Sequence, residues 1–341
     1  MLETVKNIFD DWNMQGDFAG VFSVTDAAGT VFEAAFGYRN RAEGLPNRPD
    51  TAFGIASGTK LFTGLAACKL IDEKKLRLED TIGALLPYDL GTINRDITVL
   101  QLLTHTSGVG DYIDEEASDG YAAMDALYAK HPVYLWNELQ YYLPMSNQLP
   151  AKFAPGARFG YSNTGYVLLG LVIEQASGRR YRAYVTESII NPCGLSHTGF
   201  YRTNALPHNA AYGYMLDEVT GEWQSNLFHI PIAGGSDGGL YTCAADLDTL
   251  WRTVFSGGLL SRNMLECFVY PHVSRGQENK AYGLGVYLQR VKEDYVYYAV
   301  GGDFGVDFFT AYFPKTGVVA SVLGNTEMNT WPLLARLFAV L

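Results

Sequence analysis

The chain has 341 residues, of which 48% are hydrophobic and 18% are charged, and its formal net charge is −11. This composition is typical of an ordered globular protein and excludes a disordered one. The negative charge excludes nucleic acid and anionic membranes as expected partners, because their phosphate groups would repel the protein.

The N-terminal segment predicts a short amphipathic helix over 2–14, since apolar residues from Leu2 to Trp12 recur at helical spacing. The residues after Met1 contain no basic segment followed by an apolar run, and the sequence has no run of about twenty apolar residues. We therefore expect a cytoplasmic protein without membrane insertion; an exported protein that has lost a leader is the alternative.

Two β-rich runs follow, at 20–25 and 30–36, and the turn residues at 26–29 between them predict a hairpin. A loop rich in Gly, Pro and Arg is expected over 37–50. Residues 57–75 then predict a helix with one apolar stripe.

Helical patterns broken by loops dominate from about 80 to 200, and one of these helices, over 167–176, ends before Gly178. Strand patterns return from about residue 210, and a final helix is predicted over 331–341. The clearest late strands are expected at 282–288, 295–300, 307–313 and 318–323.

This order of elements predicts one α+β domain over 1–341, in which the N-terminal and C-terminal strands share an antiparallel sheet flanked by helices. An α/β lobe is expected at about 1–80 and 210–341, and a mainly helical lobe at about 81–209.

The cysteines and histidines give no sign of a metal or cofactor site. The four cysteines contain no C-x-x-C pair and are expected to be small buried apolar residues: Cys68, Cys193, Cys243 and Cys267. The six histidines show no metal-binding spacing, so we expect neither a metal nor an organic cofactor.

Ser57 and Lys60 form an S-x-x-K motif at the start of a predicted helix. Residues at i and i+3 lie on one face of a helix, so the two side chains are within reach of each other. A serine hydroxyl becomes an effective nucleophile when a base removes its proton, and that base can be a lysine with a lowered pKa or a tyrosinate held by the lysine. Ser57 is therefore the candidate nucleophile.

Four segments in the same order resemble the penicillin-binding proteins and serine β-lactamases, in particular the class C β-lactamases and related esterases. The resemblance extends from about Phe18 to Asn325 and is carried by residues 53–63, 97–108, 159–170 and 238–247. It implies the β-lactamase-like fold, with the site in the cleft between an α/β lobe and a helical lobe.

The resemblance also implies a role for each residue of the first two motifs. Ser57 would form the acyl-enzyme, and Lys60 would keep the network in the right protonation state. Tyr161 would relay the proton as base and then as acid, and Asn163 would hydrogen-bond Lys60 or the substrate's amide.

The third motif of the family, K-T-G or H-x-G, has lost its basic residue here. Two registers remain open: the motif is either 299–301, read Ala299, Val300 and Gly301, or 300–302. In the first register the oxyanion hole would consist of the backbone N–H groups of Ser57 and Gly302.

Substrate recognition is expected to involve the altered strand. The predicted substrate-binding residues are Ala299, Val300, Gly301, Asp303 and Tyr112. Asp303 and Asp307 make this neighbourhood negative and disfavour a carboxylate-bearing substrate. A neutral ester, or a peptide or amide that bears an amine, fits better.

Two other motifs are expected to be misleading. Ser236 lies in a G-x-S-x-G sequence, but the parallel βα alternation of α/β-hydrolases is missing, so a glycine-rich loop beside the site is expected. A literal K-T-G at Lys315 to Gly317 follows Pro314 and is expected to be a hairpin turn.

The sequence thus predicts a serine hydrolase that forms an acyl-enzyme on Ser57, most consistent with an esterase or an amidase or peptidase. The alternatives are a β-lactamase or D,D-carboxypeptidase, and a non-catalytic binding or sensor protein on the same fold. The expected partner is a small ester, amide or peptide substrate, and the oligomeric state stays open.

Overall fold

The structure is a computed structural model that describes residues 1–14, 18–115 and 120–341. Its strands are β1 (Gly20–Asp26), β2 (Gly29–Phe36), β3 (Tyr38–Asn40), β4 (Leu45–Pro46), β5 (Phe53–Gly54), β6 (Tyr214–Leu216), β7 (Trp223–Ser225), β8 (Tyr241–Thr242), β9 (Val273–Ser274), β10 (Lys280–Tyr282), β11 (Tyr287–Val291), β12 (Asp294–Asp303), β13 (Val306–Phe313) and β14 (Val318–Gly324).

The helices are mostly clustered in the middle of the chain. They are α1 (Leu2–Asn13), α2 (Thr59–Asp72), α3 (Ile82–Leu85), α4 (Val99–Leu103), α5 (Gly120–Lys130), α6 (Leu143–Ser146), α7 (Asn163–Ser177), α8 (Tyr181–Val185), α9 (Ala244–Phe255), α10 (Arg262–Phe268) and α11 (Trp331–Val340). Short 3₁₀ turns cover Ala56–Gly58, Val133–Leu135, Leu139–Tyr142 and Asn226–Phe228, and a π-helical turn covers Thr186–Ile190.

The main sheet has eight antiparallel strands in the order β2-β1-β14-β13-β12-β11-β10-β9. Strand β1 pairs with β14, for example Phe22 with Val322, so the N-terminal hairpin lies beside the C-terminal strands. The expected α+β fold, with an antiparallel sheet flanked by helices, is confirmed.

The two faces of the sheet are covered by different helices. On one face α1 and α11 pack against the sheet, and Phe9 of α1 stacks on Phe22 with ring centroids 5.0 Å apart. The larger core lies on the other face and includes α2, α7 and α9. Trp251 of α9 is anchored there, since its Nε1 donates to Thr310 Oγ1 at 2.9 Å. This larger core also supports the segment that carries Ser57.

Three sequence predictions need correction in detail. The strand expected over 282–288 is wrong as a single element, because β10 ends at Tyr282 and a turn precedes β11. In that turn Gly285 (φ +101°) lies against α2, where a Cβ would be 2.8 Å from Gly64 Cα. The loop expected over 37–50 contains the small β3–β4 hairpin. The helix expected from Ser57 begins at Thr59 instead, after a 3₁₀ turn.

Other local predictions are confirmed. The K-T-G at Lys315 to Gly317 is the exposed turn between β13 and β14. The helix after Tyr161 ends at a left-handed Gly178 (φ +67°), as its position predicts. All four cysteines are free; three of them are buried as expected, whereas Cys267 is only partly buried. The bounds of the two lobes stay a prediction, although α3 to α8 all lie between β5 and β6 along the chain. Within the described ranges, the helices are too short or too polar to cross a bilayer.

Candidate active site

Ser57 lies in a strained turn at the start of α2. The preceding residue, Ala56, has φ +43°, a left-handed conformation that is uncommon for a residue with a side chain. Thr59 fixes this turn, since its Oγ1 donates to Ala56 O at 2.7 Å and accepts from Leu240 N at 2.9 Å. Ser57 itself is half-buried and lines a cavity. The turn therefore presents the hydroxyl to a space that a ligand can enter.

Lys60 is buried behind Ser57 and is held by three acceptors. Its Nζ donates to Ser57 Oγ at 2.9 Å, to Asn163 Oδ1 at 2.8 Å and to the carbonyl oxygen of Asp237 at 2.6 Å. Only 3% of the lysine is exposed. Burial lowers the pKa of Lys60 below its usual 10.5, although the negative charge of Asp237 opposes the shift.

Tyr161 and Lys60 both contact the hydroxyl of Ser57. A hydrogen bond joins Tyr161 to Ser57, and the ring of Tyr161 lies with its centroid 4.8 Å from Lys60 Nζ. Burial raises the pKa of Tyr161 well above 10, and the charge of Glu115 adds to this effect. The phenol therefore keeps its proton at physiological pH in the resting site, and the role of Tyr161 as a base stays a prediction.

Asn163 is fixed by the start of α7 and by two carboxylates. Asp111 accepts from the backbone N–H of Asn163 at 2.8 Å and from that of Thr164 at 2.9 Å. The N-cap is Ser162, whose Oγ accepts from Gly165 N at 2.9 Å. Asn163 Nδ2 donates to Glu115 Oε1 at 2.9 Å, which orients its Oδ1 toward Lys60. Burial raises the pKa of Asp111 to about 7.

His105 packs against the segment that contains Tyr161. Its Nδ1 accepts from Ser162 N at 3.1 Å, and its ring centroid lies 4.5 Å from that of Tyr161. The ring is 1% exposed, and burial together with the charge of Lys60 lowers its pKa well below 6.5. Because Nδ1 is an acceptor, the neutral ring carries its proton on Nε2. His105 therefore holds the backbone and the ring of the Y-x-N motif.

The glycine-rich loop of Ser236 adds Asp237 to the site. The carbonyl oxygen of Asp237 contacts Lys60, and its carboxylate accepts a hydrogen bond from the hydroxyl of Tyr112. Ser236 is fully buried, and its Oγ has no hydrogen-bond partner among the described residues. The loop thus lies beside the site, as its sequence predicts, and Ser236 is not accessible as a nucleophile.

The altered third motif lies against the turn of Ser57. A Cβ on Gly301 would lie 2.9 Å from Ser57 N and 2.2 Å from the carbonyl oxygen of Ile55, so only glycine fits there. A Cβ on Gly302 would meet nothing within 4 Å. This packing favours the register in which Gly301 is the glycine of the motif, with Ala299 in the position of the missing cation.

A cavity of about 650 Å³ connects these residues. Several sequence-predicted residues line it: Ser57, Tyr112, Tyr161, Asn163, Val300, Gly301, Gly302 and Asp303. Lys60 and Ala299 are buried behind its wall. Sequence reasoning missed the roles of His105, Asp111, Glu115 and Asp237. His105 lies in one of the family-like segments, 97–108, and Asp237 lies in the G-x-S-x-G sequence of Ser236. Asp111 and Glu115 are loop residues outside every motif, so the sequence does not indicate their roles.

A possible metal cluster lies elsewhere in the chain, at His197, Cys243 and Asp246. Asp246 Oδ2 already accepts from His197 N and from Thr198 Oγ1, each at 2.7 Å. Burial raises the pKa of the Cys243 thiol to about 12, so the thiol keeps its proton at neutral pH and is a poor ligand. We assign no metal to this cluster.

Fold and site together place the chain among the β-lactamase-like proteins that carry an S-x-x-K motif. The model of the Beta-lactamase family matches residues 5–339, and the chain belongs to this family. The membership inferred from the sequence motifs is thereby confirmed.

The chain is similar to the crystal structure of a penicillin binding protein from Bacillus halodurans, with 34% identity, a TM-score of 0.90, and coverage of 99% of this chain and 100% of that one. Two curated relatives are Penicillin-binding protein 4* of Bacillus subtilis (27% identical, 85% of this chain, 64% of the relative) and Protein flp of Staphylococcus aureus (32%, 68% and 45%). The chain thus spans less than two thirds of the length of these curated relatives.

Proposed function

We propose that the protein hydrolyses an ester or amide bond through an acyl-enzyme on Ser57. The observation that carries this proposal is the set of three acceptors around Lys60 Nζ. Two of them, Asn163 Oδ1 and the Asp237 carbonyl oxygen, can only accept hydrogen bonds, whereas Ser57 Oγ can also donate one. A neutral Lys60 therefore keeps N–H bonds to the first two acceptors and directs its lone pair at Ser57.

This arrangement sets the direction of proton transfer. As Ser57 Oγ attacks the carbonyl carbon, its proton passes to Lys60 Nζ. The oxyanion of the tetrahedral intermediate is expected between the N–H groups of Ser57 and Gly302, consistent with the packing of Gly301 on the Ser57 turn.

The leaving group needs a proton when its bond to the acyl carbon breaks. Tyr161 is neutral and contacts Ser57, so its hydroxyl supplies this proton and regains one from the Lys60 ammonium. Water then attacks the ester of Ser57 by the reverse route, and the acid product leaves with the serine restored.

Hydrolysis of β-lactams or of peptides with a free C-terminal carboxylate is the less favoured activity. Among the described residues that line the cavity there is no Lys, Arg or His to receive a carboxylate. The family's relatives named as penicillin-binding proteins make this alternative worth including in the test.

The test is intact-mass analysis of the whole chain after exposure to a fluorophosphonate, p-nitrophenyl acetate and a fluorescent penicillin. We expect an adduct with the first probe, turnover of the ester, and little reaction with the penicillin. Ser57→Ala should abolish the adduct and the turnover.

Ser236→Ala is the matched control, because it removes a buried hydroxyl that has no partner among the described residues. It should leave labelling and turnover unchanged. Absence of any adduct and of any turnover in the wild type would instead support a non-catalytic binding protein.

A further inference from the structure

The wall of the cavity is acidic. Six carboxyl side chains line it: Asp114, Glu115, Asp237, Asp303, Asp307 and Glu327. Asp114 is paired with Lys152 at 2.7 Å, and Asp307 accepts from Thr330 N and Oγ1 at 3.1 and 2.7 Å. Of the other carboxyl groups, Glu115, Asp237 and Asp303 act electrostatically on Lys60, beside the nucleophile.

Among the described residues that line the cavity, no basic side chain balances these three carboxyl groups. Each of them acts electrostatically on Lys60, whose Nζ is bonded to neutral acceptors and forms no ion pair with them. Burial, together with the charges of Glu115 and Asp237, raises the pKa of Asp303 to about 7. A positive charge that enters the cavity would relieve the repulsion between these carboxyl groups.

A wall of aromatic rings adjoins the carboxylates. Five rings line this side: Tyr112, Tyr128, Trp136, Tyr142 and Phe304. The ring centroids of Tyr112 and Tyr142 are 5.3 Å apart, and those of Trp136 and Tyr142 are 5.1 Å apart. Phe304 directly follows Asp303 in the chain, and both residues line the cavity. Aromatic faces bind both apolar side chains and ammonium groups.

The carboxylates are also connected to the nucleophile. Glu115 accepts from Asn163, Asn163 accepts from Lys60, and Lys60 donates to Ser57. A cation bound by Glu115 would therefore be connected to Ser57 Oγ through two side chains, those of Asn163 and Lys60. On the altered strand, Gly302 has no side chain to fill the space before Asp303.

We propose that the acyl group accepted by Ser57 carries a protonated primary amine near the scissile carbonyl and a bulky apolar side chain. This inference rests on the proposed function and names its substrate class: amides, esters or peptides with an apolar aminoacyl residue at the free N-terminus. Glu115 and Asp303 bind the ammonium, and the aromatic wall binds the side chain.

The reaction balances without a further reactant. The bond between the acyl carbon and the leaving nitrogen or oxygen breaks, the leaving group departs with one proton, and the Ser57 ester forms. Water then releases the free amino acid and restores the Ser57 hydroxyl.

The test compares three p-nitroanilides on the whole wild-type protein, each made from D- and from L-phenylalanine. The first has a free amine, the second is N-acetylated and neutral, and the third is N-succinylated and anionic. For the preferred enantiomer we expect kcat/KM of the free amine to exceed that of the acetylated form by at least about tenfold, with the succinylated form slowest.

Glu115→Gln and Asp303→Asn should each reduce the ratio between the first two substrates, mainly through KM, and together should bring it close to one. Asp294→Asn is the matched control, since this exposed carboxylate lies at the other end of β12 and pairs with Lys315 at 3.6 Å. It should leave the ratio unchanged.

Equal turnover of the free and acetylated substrates by the wild type, or a ratio that survives in the double variant, would overturn this inference. If p-nitrophenyl acetate still acylates Ser57 in that case, the proposed function stands without it. Failure of every substrate and every Ser57 probe would overturn both.

Discussion

Gly301 of β12 lies directly against the backbone nitrogen of Ser57, and a Cβ on Gly301 would be 2.9 Å from that nitrogen. This contact fixes the distance between the altered third strand and the nucleophile turn. Gly302, the next residue, faces open space instead. A side chain is therefore excluded at position 301 and can be accommodated at position 302.

We expect Gly301→Ala to displace the turn, to lower ester turnover by at least about tenfold and to destabilise the fold by about 1–3 kcal/mol. Gly302→Ala keeps the backbone N–H and meets no neighbour, so turnover should stay within about twofold. Steady-state kinetics and chemical denaturation check both. Equal losses in the two variants would contradict the register that places Gly301 in the motif.

Asp237 should control the pH at which Lys60 becomes a base. Burial lowers the pKa of Lys60, and the charge of Asp237 is the largest effect that opposes this shift. Asp237→Asn removes the charge and keeps an acceptor for Tyr112, so the pKa of Lys60 falls further. Because Lys60 acts when deprotonated, the rising limb of kcat/KM against pH should move to lower pH. A limb that stays in place, or moves to higher pH, would argue against Lys60 as the base.

His105 should contribute to stability in a pH-dependent way. Its folded-state pKa lies well below 6.5, so below pH 6.5 the unfolded chain takes up a proton that the folded protein does not, and this contribution is lost as the pH falls. His105→Asn is a suitable comparison, because asparagine tolerates φ +55° and does not titrate.

The free energy of unfolding of the wild type should exceed that of His105→Asn by about 1–3 kcal/mol at pH 7.5. The difference should shrink at pH 5, as measured by urea denaturation at both values. A difference that is independent of pH would mean that the ring has the same pKa in the folded and unfolded states, and would contradict this prediction.

Asp111 should hold Asn163 by capping α7. Asp111→Ala leaves the N–H groups of Asn163 and Thr164 without their acceptor and should destabilise the protein by about 1–2 kcal/mol. Turnover should fall as well, since Asn163 positions Lys60. Asp111→Asn keeps an acceptor oxygen and should lose less of both. Thermal denaturation and ester kinetics on the pair check this, and equal losses would mean that the charge matters rather than the hydrogen bonds.

The sequence predicts those parts of the molecule that depend on local pattern. The hairpin after Gly20, the helix that ends at Gly178 and the turn at Lys315 follow from apolar periodicity and turn residues, and all are present. The S-x-x-K and Y-x-N motifs predict that Ser57 and Asn163 lie together, and Lys60 contacts both.

What the sequence does not predict depends on contacts between distant segments. Asp237 contacts Lys60 although 177 positions separate them in the sequence. His105 accepts a hydrogen bond from Ser162, which lies 57 positions further along the chain. The split of the strand at Tyr282 follows from the close approach of Gly285 to α2, a tertiary contact that leaves no trace in local hydrophobicity. The open choice of register in the third motif likewise needed the packing of Gly301.

The order of strands in the main sheet has a consequence for synthesis. Strand β14 lies between β1 and β13, and the strand that faces the nucleophile, β12, is also one of the last to be made. During translation, Ser57 emerges from the ribosome long before either strand has been synthesised. The N-terminal hairpin must therefore wait, with one edge unpaired, until nearly the whole chain has emerged. A nascent chain arrested before residue 294 would hold the nucleophile segment but could not assemble the cavity around it.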